Sequence, residues 1–347
     1  MPPAARRSWF AFLSACALAL ALAFAPRAAA QGSSDIASLR KAFASAMNSK
    51  DWNRAVETGQ ALARVDPQGG AVAYNIACAL AHKGDPAAAA DWLVKAGEAG
   101  FQGAGLIRTD TDLDTVRSQP AYAKAVELIS ANRAKAFEAF TAEHRDHRPR
   151  TILPPNHDPS KPATLIIALH GSGGTPDEME TVWKNAAAKH NAILCVPGGI
   201  RPLGNGYQWM FMDESEWLIL HALEFCKKEH SIDPKRIVLA GFSQGGNMSF
   251  YVAMRHPELF CGVIPVAAHY EPNVEPMPDP PAPSMPRFAM LIGAKDEGTA
   301  SCRQLEAALR KIKTPVRLKV YPGLGHALPP NYEREFDQAL QFVLAGS

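Results

Sequence analysis

Hydrophobic positions follow two different rules along this chain. From Ser33 to about Glu143 they recur at helical spacing in an alanine-rich background with no strand pattern. From Ala163 onward short continuous apolar runs appear: ATLIIALHG, NAILCVPGG, RIVLAGFSQ, CGVIPVAA, RFAMLIGAK and VRLKVYPG. Helical patterns such as DESEWLILHALEFCKKEH, NMSFYVAMRHPELF and ASCRQLEAALRKIK lie between them. Continuous Val/Ile/Leu runs read as strands buried on both faces, and intervening helices imply a mostly parallel, doubly covered sheet. The expected fold class is therefore α/β, preceded by a small all-α domain. The polar, proline-rich stretch EHRDHRPRTILPPNHDPSKP, residues 143–162, reads as a linker and entry strand. His144 and His147 have a spacing a metal could use, but a solvated linker accounts for them more simply.

Within the helical region, DWNRAVETGQALARVDP begins at Asp51 and DPAAAADWLVKAGEAGF at Asp85, an offset of 34 residues. Small residues recur in register, as Ala55 with Ala89 and Leu62 with Ala96. AVAYNIACALAHKGD, Ala71 to Asp85, predicts a helix with Tyr74, Ala77 and Leu80 on one face and Gly84 at its end. The period and these residues resemble the tetratricopeptide family over roughly Asp35 to Leu128. The resemblance implies paired helices that serve either as a partner groove or as a cap on the second domain. Fewer than three repeats are visible, so packing against the second domain is expected.

The N-terminus obeys a third rule. Arg6 and Arg7 precede the apolar WFAFLSACALALALAFA, and APRAAAQ places Ala28 and Ala30 in A-x-A positions. This predicts a signal peptide over residues 1–30, export to the periplasm or the extracellular space, and no stable membrane span after cleavage. The domains expected are thus 1–30, a helical domain at 31–145 and a sheet domain at 146–347.

Composition narrows the chemistry. Lys and Arg total 36 against 34 Asp and Glu, a net charge of +2, and no basic face argues for a nucleic-acid partner. Six cysteines, Cys16 among them in the signal segment, are scattered without C-x-x-C spacing. They read as small buried residues with room for one bridge rather than as a zinc site.

The sharpest feature is VLAGFSQGGNM, where an apolar run stops at Gly241-Phe242-Ser243-Gln244-Gly245 and a helix pattern follows. A Gly-x-Ser-x-Gly sequence at a strand-to-helix turn projects the serine hydroxyl above the sheet and puts the next amide at a helix N-terminus. Serine needs a base at neutral pH. Of the three histidines after Ser243, His256 lies at a helix end and His269 precedes any acid candidate. His326, in YPGLGHALP after the last strand, is the expected base. In RFAMLIGAKDEGT, Asp296 is chosen over Glu297 because it comes first after the strand; its expected role is to orient His326. Independently, His170-Gly171-Ser172-Gly173-Gly174 follows an early strand, where a backbone amide can stabilise an oxyanion. The expected donors are the amides of Ser172 and Gln244, with Gly171 as the substitute. Trp209 and Phe211 are candidate walls of an acyl pocket, and the proline-rich stretch Tyr270 to Arg287 a candidate rim of the entrance.

LHGSGG, GFSQGG, GAKD and GLGH, in this order, resemble the α/β-hydrolase superfamily over about Thr164 to Leu344. They are most similar to the phospholipase/carboxylesterase branch and to exported feruloyl, acetylxylan and polyhydroxyalkanoate esterases. The resemblance implies a serine esterase working through an acyl-enzyme without metal or organic cofactor, on a small-molecule or polymer-borne ester. It assigns Ser243 as nucleophile, His326 as base and Asp296 as acid. The chain departs from that branch at DEGT, where a Val-Pro pair is common, and at GNGYQWMFMDESEW, Gly204 to Trp217, where a shorter element is usual. Both departures bear on the acyl pocket. Two rivals remain from the sequence: a serine peptidase, and a repeat-based binding protein with an inert hydrolase domain.

Overall fold

The computed structural model describes residues 32–270 and 285–346. The expected signal segment and all but the ends of the proline-rich stretch lie outside the described residues. The chain divides into two compact units, Met1–Phe140 and Thr141–Ser347.

The first unit is helical. α1 (Gly32–Asn48), α2 (Trp52–Val65), α3 (Gly70–His82) and α4 (Pro86–Glu98) follow one another, then the short α5 (Leu106–Thr109) and the long α6 (Pro120–His144). The 34-residue offset has a local cause. Asp51 caps α2 by accepting from the Arg54 amide, and Asp85 caps α4 by accepting from the Ala88 amide. Pro86 then occupies the first turn, where its missing N–H costs nothing. α3 differs from the one-faced helix its pattern predicts: it is buried continuously from Val72 to Leu80. It packs against both α2 and α4, so no face is left for solvent. It also docks the turn after α5, because the Tyr74 hydroxyl donates to the buried Asp110 carboxylate at 2.6 Å. Two turns further along, His82 reaches Asp112 at 3.0 Å.

The second unit holds a seven-stranded sheet in the order β1-β3-β2-β6-β7-β8-β9. Its strands are β1 (Arg150–Ile152), β2 (Ala163–Leu169), β3 (Ala192–Val196), β6 (Ile232–Phe242), β7 (Gly262–Val266), β8 (Arg287–Gly293) and β9 (Val316–Tyr321). β1 is an antiparallel edge strand and every other pairing in this sheet is parallel. A separate hairpin joins β4 (Arg201–Leu203) and β5 (Gly206–Gln208). The helices are α7 (Pro176–Lys189), α8 (Met212–Glu229), α9 (Gln244–Arg255), α10 (Thr299–Lys311) and α11 (Tyr332–Leu344).

All seven residues of β2 are buried, which explains their unbroken apolar run. On one face Ile166, Ala168, Val238 and Ala240 pack beneath α7 and α11, whose Trp183 and Phe336 rings stack at 4.2 Å. On the other face the Cys195 thiol of β3 meets Cys226 of α8. None of the five described cysteines is in a disulfide, and four of them are buried. Among the described residues no helix is long and apolar enough to cross a membrane.

Candidate active site

Parallel strands deliver their carboxyl ends to one edge of the sheet, and three strand ends supply the site. β6 ends at Phe242, and Ser243 follows with φ 53° and ψ −119°. This is a backbone conformation that L-residues seldom adopt and that costs about 1–3 kcal/mol. It sends the chain straight into α9. The flanking glycines leave room for that turn. A Cβ at Gly241 would lie 2.3 Å from Gly245, and one at Gly245 would lie 2.4 Å from the carbonyl oxygens of Leu169 and His170. The first clash is with the helix, the second with the end of β2. Gln244 is the first residue of α9, so its amide belongs to the group of N–H donors with no intrahelical acceptor.

Asp296 lies just beyond β8 and His326 just beyond β9. His326 Nδ1 is 2.8 Å from Asp296 Oδ2, and His326 Nε2 is 2.8 Å from Ser243 Oγ. Asp296 also accepts from the Gly298 amide at 2.9 Å, and its side chain is only 5% exposed. Burial works to raise its pKa, but the bonds from His326 and the Gly298 amide outweigh it and hold the carboxyl below the usual range. The Asp296 bond in turn raises His326, against a smaller opposing effect of burial. Glu297 is exposed and acts on His326 only at a distance. His256 is engaged with Glu216 at 2.6 Å, away from this chain of bonds.

The glycine-rich turn after β2 passes beside the serine. A Cβ at Gly171 would stand 3.4 Å from the Ser243 Cβ. The next residue, Ser172, is exposed, and among the described residues its amide has no hydrogen-bond acceptor. An amide left unpaired beside the Ser243 hydroxyl is of the kind that can serve a developing oxyanion.

Trp209 and Phe211 do not share an environment. Trp209 is 3% exposed, and the Gln244 side chain clasps its main chain, accepting from its N–H at 2.9 Å and donating to its carbonyl at 3.0 Å. Phe211 is half-buried, with the Arg201 guanidinium 5.8 Å from its ring centre. Arg201 is itself fixed by two bonds to the buried Glu214. Sequence reasoning missed the Gln244 side chain, whose partners lie 35 residues away. It also missed the β4–β5 hairpin, which bonds the glycine-rich turn through Tyr207 to Gly173 and Gly174.

With this geometry in place, residues 203–340 match the sequence profile of the dienelactone hydrolase family. That match runs from the end of β4 into α11 and takes in about two-fifths of the chain. Its sheet, with α7 and α11 on one face and α8 on the other, has the α/β-hydrolase fold. Among curated relatives, a thermostable monoacylglycerol lipase of Bacillus sp. (strain H-257) is 24% identical over 188 residues, 48% of this chain and 72% of that protein. The bifunctional acetylxylan esterase/xylanase XynS20E of Neocallimastix patriciarum is 30% identical over 103 residues. That match takes in 28% of this chain and only 14% of the larger protein. Poly(3-hydroxyalkanoate) depolymerase C of Paucimonas lemoignei is 29% identical over 116 residues, 30% of this chain and 28% of that protein. Among solved structures, esterase PE8 aligns with 56% of this chain and 97% of its own, at 19% identity and a TM-score of 0.46.

Proposed function

We propose that this protein is an exported serine hydrolase that cleaves carboxylic esters or thioesters through an acyl-enzyme. The observation that carries the proposal is the pair of 2.8 Å contacts linking Ser243 Oγ to His326 and His326 to Asp296 at the sheet's carboxyl edge. In this reading Ser243 Oγ attacks the ester carbonyl carbon and its proton passes to His326 Nε2. The carbonyl π pair becomes an oxyanion held by the amides of Ser172 and Gln244, each worth about 3–4 kcal/mol in the transition state. The C–O bond to the alcohol breaks as His326 returns the proton to the leaving oxygen. Water then repeats the sequence on the acyl-serine. Asp296 holds the Nδ1–H tautomer and stabilises the imidazolium that forms.

The names of the relatives, a lipase, an acetylxylan esterase and a depolymerase, support ester rather than amide substrates. Export is supported by the charged and apolar pattern of residues 6–30. Ser243→Ala is expected to fold normally, to abolish turnover of p-nitrophenyl butyrate and to lose labelling by a fluorophosphonate. Turnover retained by this variant would refute the assignment. Sequencing the N-terminus of the chain recovered outside the cytoplasm tests cleavage after Ala30.

A further inference from the structure

The proposed oxyanion hole has two amides, one on the turn after β2 and one at the start of α9, and one histidine is wired to both. His170, at the end of β2, is fully buried. The Gly199 amide donates to its Nε2 at 2.9 Å. A backbone N–H can only donate, so Nε2 is unprotonated and the ring's hydrogen resides on Nδ1. Nδ1 lies 2.7 Å from the Gly171 carbonyl oxygen and therefore donates to it. The Gly174 amide donates to the same oxygen at 3.0 Å.

Two donors thus fix the Gly171 carbonyl. The peptide unit is planar and trans, so the N–H of Ser172 must point away from that carbonyl. Holding the oxygen aims the amide. The ring is held in its turn: the Trp209 indole stacks on it at 5.0 Å and donates from Nε1 to the His170 carbonyl at 2.9 Å. The Trp209 main chain is the part clasped by the Gln244 side chain, and Gln244 supplies the other amide.

Resting on the esterase reading, we propose that His170 is a positioning residue for catalysis. It locks the Ser172 amide into the oxyanion hole and, through Trp209 and the Gln244 side chain, ties it to the second donor. Burial also drives the His170 pKa down, which keeps the ring neutral and the Nδ1–H tautomer available.

The test compares wild type, His170→Ala, His170→Asn and Trp209→Phe on p-nitrophenyl butyrate, with inhibition by an alkyl trifluoromethyl ketone measured on each. The ketone's adduct on serine places an oxyanion against the same amides. Misplacing one donor should lower kcat of His170→Ala by about 10–100-fold. Ketone affinity should fall by the same factor, while KM stays within about twofold of wild type, as expected when only transition-state binding is lost. His170→Asn offers an amide N–H in place of Nδ1–H and should recover most of both losses. Should His170→Ala not fold, Trp209→Phe decides, since it keeps an aromatic ring beside His170 but removes the indole N–H, with its five-membered ring, that holds the His170 carbonyl. Equal losses in kcat and ketone affinity support the inference, and unchanged values overturn it. A kcat loss in His170→Ala without a matching loss of ketone affinity also overturns it, as does kcat within about threefold of wild type. If the wild type neither turns over esters nor takes up fluorophosphonate at Ser243, the esterase reading itself fails, and this inference falls with it.

Discussion

Gly293 and Gly325 stand in backbone contact. A Cβ built on Gly293 would lie 2.3 Å from the Gly325 carbonyl oxygen and 2.4 Å from that of Leu324. The loop after β8 and the loop after β9 are thereby pressed together, and the Lys295 amide donates across them to the Leu324 carbonyl at 2.8 Å. Asp296 is one residue beyond that bond and His326 one residue beyond Gly325. Their 2.8 Å contact is therefore set by main-chain packing as well as by attraction of the two side chains.

Gly293→Ala should separate these loops. The methyl group meets backbone rather than a flexible side chain, so the loops must shift. A displacement of this size should lower kcat/KM by about 100-fold. Overpacking should lower stability by about 1–3 kcal/mol. Ester kinetics and urea unfolding of the same preparation check both numbers.

Asp296→Asn should leave the fold intact and lower kcat by about 10⁴-fold, since an amide no longer selects the Nδ1–H tautomer of His326. Glu297→Gln, at an exposed neighbour with no contact to the imidazole, should change kcat by less than about twofold. Equal losses in the two variants would refute the choice of acid.

The pH profile follows from His326. Its pKa is raised above the ordinary 6.5, first by the Asp296 bond. Only the neutral imidazole accepts the serine proton, so kcat/KM should fall on the acid side with an apparent pKa above 6.5. The sign for stability is the reverse. A raised folded-state pKa stabilises the charged form, so this contribution is complete below 6.5 and fades as pH rises through the folded value. Asp296, whose pKa is lowered, contributes above its unfolded value and loses that contribution as pH falls through the folded one. In Asp296→Asn the acid limb of any residual activity should move to lower pH.

Tyr74→Phe should weaken the helical unit. It removes the 2.6 Å bond to buried Asp110, whose pKa is already pushed up by burial. Stripping one donor from a buried carboxylate should cost about 1–3 kcal/mol. Amide exchange over residues 70–113 should accelerate. Unchanged exchange there would show that the bond carries no stability.

The legible parts of the molecule were those in which each residue's place depends on its own neighbours in sequence. The apolar runs of β2, β3 and β6 announced a doubly covered sheet because all of β2 and β3, and Ile237 to Gly241 of β6, are buried. Ser243, Asp296 and His326 could be picked because each follows the end of its own strand. Where two distant segments cooperate, the sequence was silent. The double bond between the Gln244 side chain and the Trp209 main chain, the His170 ring pinned by Gly199, and the approach of Gly293 to Gly325 all require the fold first. α3 misled for a related reason. Its alanines suit a one-faced amphipathic helix and a fully enclosed one equally well, and only α2 and α4 on either side decide between them.

The positive φ at Ser243 carries a cost in the resting molecule. Glycine would sit there almost free of the local penalty, offset in part by its greater freedom in the unfolded chain. Ser243→Gly should therefore melt later than its parent, by about 1 kcal/mol, while being chemically silent. Robustness and reactivity are opposed at this single position, and screens that reward heat resistance alone would be drawn toward a dead protein.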